Sequence, residues 1–237
     1  MSSPGLLKLL WLASPALPVG AFSYSEGLEA GVEAGILCDE KTTTHWILEQ
    51  LHLSLSRSDL PVVAQAMLAW KSHDYSRIQR LNHWILATRE THEFRRQTEQ
   101  MGKSLLAWST QFNTPSDAPI AKSAPSMAHL ALEAAGLTQP TYPVVCAAIA
   151  AHSQANIDDT LYAYAFGWAE NQVQSAIKSV PLGQSQGQRA LAHICDQIPQ
   201  AVTFAMLLDD EDRQAFSPML ALYSCWHETQ YSRLFRS

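Results

Sequence analysis

Apolar residues recur along this chain at the three- and four-residue spacing of a helix face, and almost nowhere in the alternation of a strand. Strands need runs of β-branched and aromatic residues bounded by turns. The sequence holds no such run and is instead rich in the helix formers Ala, Leu, Gln and Glu. Ile47, Leu48, Leu51 and Leu55 make one face behind a capping Asp39. Pro61, after Arg57-Ser58-Asp59-Leu60, predicts a break, and Val62, Ala66, Met67 and Trp70 resume the period. A third segment runs through Ile78, Leu81, Ile85 and Leu86, then continues or restarts through Phe94, Met101, Leu105 and Trp108. Three prolines among Ser, Asp and Thr predict an exposed connection over residues 113–125.

Beyond that connection a short helix is expected over 127–135, stopped by Gly136, and an apolar one over 144–151 after Pro140 and Pro143. Asn156 caps the clearest helix, with Asp158 and Asp159 in the first turn, where negative charge suits the helix dipole. Its inner face is predicted to be Ile157, Leu161, Tyr164, Trp168, Val173, Ile177 and Val180, ended by Pro181-Leu182-Gly183. Further helices are expected near 186–196, 201–208 and 219–231. The expectation is an all-α fold: a single globular bundle of about eight to ten helices without significant sheet, with residues 1–237 as one domain.

Charge narrows the function classes. Only 16% of the 237 residues are charged, against roughly a quarter in an average domain. So thin a charge cover means either an unusually neutral surface or one partly covered by another protein; the second is favoured, because bare apolar patches endanger solubility. The net charge of −6 argues against nucleic-acid binding, which needs a basic stripe; the longest basic cluster is Arg95-Arg96. The longest apolar run, residues 144–151, is far short of the about 20 residues of a membrane span. Leu6, Leu7, Leu9, Leu10, Trp11 and Leu12 imitate a secretory leader, but no basic segment precedes them and Lys8 interrupts them, so a cytoplasmic protein is expected. Cys38, Cys146, Cys195 and Cys225 are widely spaced, which speaks against a disulfide framework or a zinc site.

Motif searches find no catalytic constellation. Met101-Gly102-Lys103-Ser104 resembles the end of a phosphate loop, but Gln97 stands where the first glycine is required. The stretch from Gly20 to Gly27 lacks the spacing of a nucleophile elbow, so Ser23 and Ser25 are expected as helix-capping serines. Glu90, His92 and Glu93 lie close in sequence without metal-ligand spacing, and Cys225 and His227, two apart, point to different faces of a helix.

Two segments are odd on physical grounds. Residues 12–25 are an almost uncharged loop stiffened by Pro15 and Pro18, which must be buried in its own fold or against a partner. The end of the chain, 228–237, places Leu234 and Phe235 between Arg233 and Arg236, the composition of an interface anchor, or of a tail docked on its own domain.

These segments carry a resemblance. The first, with Gly27-Leu28-Glu29 after it, resembles the opening signature of the UreF family of urease accessory proteins, and Ser232-Arg233-Leu234-Phe235-Arg236-Ser237 is similar to that family's terminus. Asp59-Leu60-Pro61, Arg89-Glu90-Thr91-His92-Glu93 and Val180-Pro181-Leu182-Gly183-Gln184 with Gly187-Gln188 match family patterns in the same order. The resemblance implies a non-enzymatic, all-helical, dimerising scaffold. Such a protein works with UreD (UreH in some organisms) and the GTPase UreG on urease apoprotein. It would bind no cofactor firmly: nickel is handled by the complex and GTP is bound by UreG.

By motif position, Phe22, Ser23, Tyr24, Arg233, Leu234, Phe235 and Arg236 are the expected partner-binding residues, with a tail that orders on binding. Cys225 and His227 are weak nickel-ligand candidates, able to meet across a dimer axis. The rival reading is a small-molecule-binding or enzymatic helical domain with a pocket near Tyr24, Glu26 and His92.

Overall fold

A computed structural model describes residues 3–111, 126–153 and 155–236. Among them are eleven α-helices and no strand. In chain order these are α1 (Ser3–Leu12), α2 (Leu28–Glu33), α3 (Glu40–Gln50), α4 (Asp59–Lys71), α5 (Tyr75–Thr88), α6 (His92–Gln111), α7 (Met127–Ala134), α8 (Tyr142–His152), α9 (Ile157–Ser179), α10 (Gln184–Leu207) and α11 (Pro218–Thr229). The connection expected over 113–125 lies outside the described residues.

Local chemistry sets most helix starts. The Asp39 carboxylate accepts from the Thr42 amide at 2.8 Å, and the Thr42 hydroxyl reaches back in a capping box. Asn156 accepts from the Asp159 amide at 2.7 Å, as its position predicts. The break near Pro61 is real: α3 loosens into a π-helical turn over Leu51–Leu55, and α4 begins with Pro61 in its first turn, where a missing N–H costs nothing. Gly136 stops α7 with φ 65°, a left-handed conformation that suits glycine.

Two sequence expectations need correction, and two helices went unanticipated. The expected helices at 186–196 and 201–208 are one continuous α10, which runs through Pro199. Ile194 and Ile198 before the proline, and Ala201, Val202 and Ala205 after it, share one buried face, and that packing outweighs one lost backbone bond. On α9 the fully buried seam is Leu161, Ala165, Ala169, Val173 and Ala176, whereas Ile157, Tyr164, Trp168 and Ile177 are only partly buried at its edges. Small residues win the centre because α9 is sandwiched closely between neighbours. Finally, α1 and α2, which periodicity does not announce, are helical.

One hydrophobic cluster runs from Leu9 to Tyr223. At its centre α4 packs on α8, while α9 packs on α10; α6 lies on α8, and α3 on α10. Val62, Val63, Ala66 and Met67 of α4 are fully buried, as are Val144, Val145, Ala147 and Ala148 of α8. The larger of these contribute about 1.5–3 kcal/mol each through the apolar area removed from water. Two glycines mark close approaches. A Cβ on Gly102 would lie 2.3 Å from the Pro140 carbonyl oxygen, so α6 can meet the start of α8 only through glycine. A Cβ on Gly187 would lie 2.4 Å from Ile177 Cδ1, which explains a glycine at the α9–α10 hairpin. The periphery of this bundle is where α11 folds back onto α2 and α6.

Candidate functional site

The apolar loop at 12–25 is largely absorbed by its own fold: Ala13, Leu17, Val19 and Tyr24 are buried, and the Ala13 backbone packs beside Gly167 of α9. The loop turns through a short 3-10 helix, Ala21–Ser23, then through two left-handed residues, Glu26 (φ 53°) and Gly27 (φ 80°). Gly27 sits against Leu220 and Tyr223 of α11, where a Cβ would come within 3.2 Å. Glu26 is not glycine, and its left-handed backbone is strained. Across this left-handed turn Glu26 and Glu29, three positions apart, reach two different clusters.

Glu29, in the first turn of α2, receives the end of the chain. One of its oxygens accepts from the Leu234 amide at 2.6 Å, the other from the Phe235 amide at 3.0 Å and from His227 Nε2 at 2.9 Å. His227 Nδ1 lies 2.9 Å from Glu93 Oε2, and Arg233 Nη1 donates to Glu93 Oε1 at 2.9 Å. The Arg236 amide donates to the Ser23 carbonyl at 2.7 Å. His227 has no exposed surface, and Phe235 is buried. Around this cluster the Glu93 amide donates to Glu228 at the start of α6, and the Thr91 and Ser224 hydroxyls pair at 2.7 Å. Burial raises the Glu93 carboxyl above its ordinary value, opposed by the hydrogen bond from His227 and by Arg233.

Glu26 faces inward to a cavity of about 110 Å³, lined also by Gln50, Asp59, Arg89, Tyr142 and Tyr164. Its carboxylate accepts from Gln97 Nε2 at 2.6 Å and Trp168 Nε1 at 2.9 Å. Burial raises this carboxyl too, against the pull of those two donors and of Arg89. Arg89 Nη2 donates to both Asp59 oxygens, at 2.6 and 2.8 Å. Burial also pushes the Tyr142 and Tyr164 phenols up, and takes the neighbouring Cys146 thiol to about 12. These groups are therefore neutral hydrogen-bonding groups at pH 7. The Gln50 side-chain oxygen is buried without a hydrogen-bond partner among the described residues.

The structure thus brings most of the expected partner-binding residues together. Phe22 and Leu234 are 58% and 62% exposed, and Arg233 and Arg236 are exposed beside them. Lys178 of α9 stands over both the Phe22 and Phe235 rings, at 5.9 and 5.8 Å, so the two ends of the chain share one patch. Ser23 is half-buried and joins through its carbonyl. Tyr24 and Phe235 do not face outward: both are buried and support the patch from beneath. The tail, expected to order on binding, is docked on its own chain because Glu29 and Glu93 receive it.

Cys225 and His227 do not converge. Cys225 is exposed on the outer face of α11, while His227 faces inward with both ring nitrogens engaged by Glu29 and Glu93. Nor do Tyr24, Glu26 and His92 surround one pocket, since Glu26 lines the inner cavity and the other two border a surface groove beside Arg233. Gly102, the glycine of the phosphate-loop look-alike, is a packing contact. Ser25 is not the N-cap of α2, which is Gly27; from two residues before it the Ser25 hydroxyl accepts the Glu29 amide at 3.4 Å. Sequence reasoning missed Glu29, Glu93 and His227 as a cluster. The one available signal was that Leu220, Tyr223, Ser224 and His227 fall on the same helical face of α11, all buried.

Comparison with known proteins bears on this arrangement. A model of the UreF family matches residues 37–195. The urease accessory protein UreF of Polaromonas sp. is 54% identical over 237 residues, covering 100% of this chain and 97% of the relative. That of Methylibium petroleiphilum is 55% identical over 232 residues (98% of this chain, 94% of the relative), and that of Azoarcus sp. is 43% identical over 232 (98% and 95%). No helix among the described residues is long and apolar enough to cross a membrane.

Proposed function

The chain belongs to the UreF family of urease accessory proteins, and from that premise we propose that it is a non-enzymatic scaffold in building the nickel centre of urease. It binds UreD (UreH) and, with it, recruits the GTPase UreG to urease apoprotein. Nickel is cargo of the assembly and GTP belongs to UreG; the work of this chain is to hold partners in register in the cytoplasm.

The observation that carries this reading is the joined patch. Two signature segments from opposite ends of a 237-residue chain are fastened to each other by Glu29, and above that joint Phe22 and Leu234 stand exposed between Arg233 and Arg236. Apolar anchors ringed by arginines are the composition of a protein interface. A homodimer is part of the same reading. Met219, Leu222 and Trp226 form an uncovered apolar stripe on the outer face of α11, whose inner face is committed to Glu29 and Glu93.

Co-expression with tagged UreD tests the assignment. Phe22→Asp with Leu234→Asp should abolish co-purification while leaving the thermal midpoint of the isolated chain within a few degrees. Undiminished capture of UreD by the double variant would refute the patch. The orphaned Gln50 oxygen in the Glu26 cavity favours one second reading, a small-molecule site; a strong thermal shift with a metabolite alone would support it.

A further inference from the structure

We propose that the C-terminal segment is a proton-coupled latch: α11 and the tail dock on Glu29 and Glu93 by holding His227 as a buried imidazolium. Each nitrogen of the His227 ring lies 2.9 Å from a carboxylate oxygen, Nε2 from Glu29 and Nδ1 from Glu93. Both contacts are hydrogen bonds only if the cluster holds two protons, either both on the ring or one on the ring and one on a carboxyl. With a neutral ring and two ionised carboxylates, one contact would set a bare nitrogen lone pair against an anion in a site without water access.

The docked cluster therefore holds two protons. A solvated histidine with two solvated glutamates holds about one at pH 7.5. Glu29 already accepts two backbone amides, from Leu234 and Phe235, and Glu93 accepts Arg233; these donors stabilise the carboxylates and leave the second proton on the ring. With an imidazolium, the charges of Glu29, Glu93, His227 and Arg233 sum to zero, the condition for burying such a group at tolerable cost.

The groups that face the ring from each element agree with this balance. Glu29 comes from α2 and Glu93 from α6, while Glu228 of α11 is engaged by the Glu93 amide. Arg233 and Arg236 come from the tail, with the exposed His92 and Arg96 of α6 bordering the groove beside them. Lys178 of α9 contacts the cluster only through the Phe235 ring. Thr91 and Ser224 bond each other beside it and supply no competing charge.

Docking consumes one proton, so its sign is fixed. The latch is strongest between the ordinary glutamate and imidazole values, about 4.3 and 6.5, and weakens below that range as the undocked carboxylates take up protons. Above the imidazole value, the docking equilibrium falls by up to tenfold per pH unit until the buried proton is lost. The tail would thus be freer in an alkaline setting, and an alkaline surrounding is the condition that opens it.

The test uses the full chain without partners. Ring-nitrogen NMR, with the His227 signal assigned by its absence in His227→Gln, should show both nitrogens protonated at pH 7.5. Hydrogen exchange at the Leu234 and Phe235 amides should accelerate about tenfold per pH unit beyond the intrinsic rate as pH rises from 7 to 9. Glu93→Gln gives an independent arm, because its amide can donate to Nδ1 and the docked state then needs no extra proton. That variant should weaken docking but abolish the excess pH slope. A neutral ring with a protected tail at pH 7.5, tail protection independent of pH, or an unchanged slope in Glu93→Gln would each overturn the proposal.

Discussion

Glu26 and Glu29 are separated by only two residues and face opposite ways. Glu26 reaches into the middle of the bundle, where its partners Gln97 and Trp168 belong to α6 and α9, and where Asp59 and Arg89 pair beside it. Glu29 reaches the periphery, where every donor comes from α11 and the last residues of the chain. The first cluster is closed by the central helices α6 and α9. The second is closed by α11 and the tail, the segment that the proposed latch releases. One turn of backbone therefore joins a fixed acid cluster to a detachable one, and the surface above the detachable one carries the exposed Phe22 and Leu234.

The sharpest way to break this contrast is to remove Arg89. Its partner Asp59 is only 12% exposed at the side chain, so Arg89→Ala should cost about 3–5 kcal/mol by leaving a buried charge unpaired. A urea titration would show it; a loss below about 1 kcal/mol would mean that the inner cluster is not fixed. Next comes Gly102→Ala, on the helix that serves both clusters, where a methyl group must displace the Pro140 carbonyl. A loss of about 3 kcal/mol is expected, with both clusters disturbed. Arg233→Ala should behave in the opposite manner. Its side chain is 41% exposed, so global stability should change by less than about 1 kcal/mol, while a carboxypeptidase should trim the tail markedly faster.

The smallest effect concerns pH. Burial raises the Glu26 carboxyl above its ordinary value of 4.5, so the folded chain binds a proton there more tightly than the unfolded one. Stability from this group is complete below pH 4.5 and declines as pH rises through the folded-state value. Glu26→Gln should flatten that part of the stability curve and leave tail docking unchanged, which separates the two acids directly.

Much of the fold was legible in the sequence because capping residues and helix periodicity act locally. Asp39, Asn156, Pro61 and Gly136 did at the chain level what their chemistry dictates. What was not legible depends on neighbours. The seam of Ala165, Ala169 and Ala176 looks weaker than a face of Tyr164 and Trp168, and only the close sandwiching of α9 makes the small residues its centre. The sequence predicts separate helices at 186–196 and 201–208, and only the shared buried face explains why α10 continues through Pro199. The site was half legible. The two odd segments could be singled out for their composition, yet nothing in sequence says that they meet. Their joint runs through Glu29, Glu93 and His227, three residues separated by long stretches of chain. The same blindness made Tyr24 and Phe235 look outward when they are buried supports, and let Cys225 and His227 look like neighbours when a helix turns them apart.

The central claim is that both ends of the chain form one partner-binding patch. Hydrogen exchange of the chain alone and in complex with UreD tests it most directly. The account predicts added protection over residues 20–29 and 230–236 together, with little change in α4 and α8, which are already buried. Protection confined to other helices, with both end segments exchanging as they do in the free chain, would contradict it.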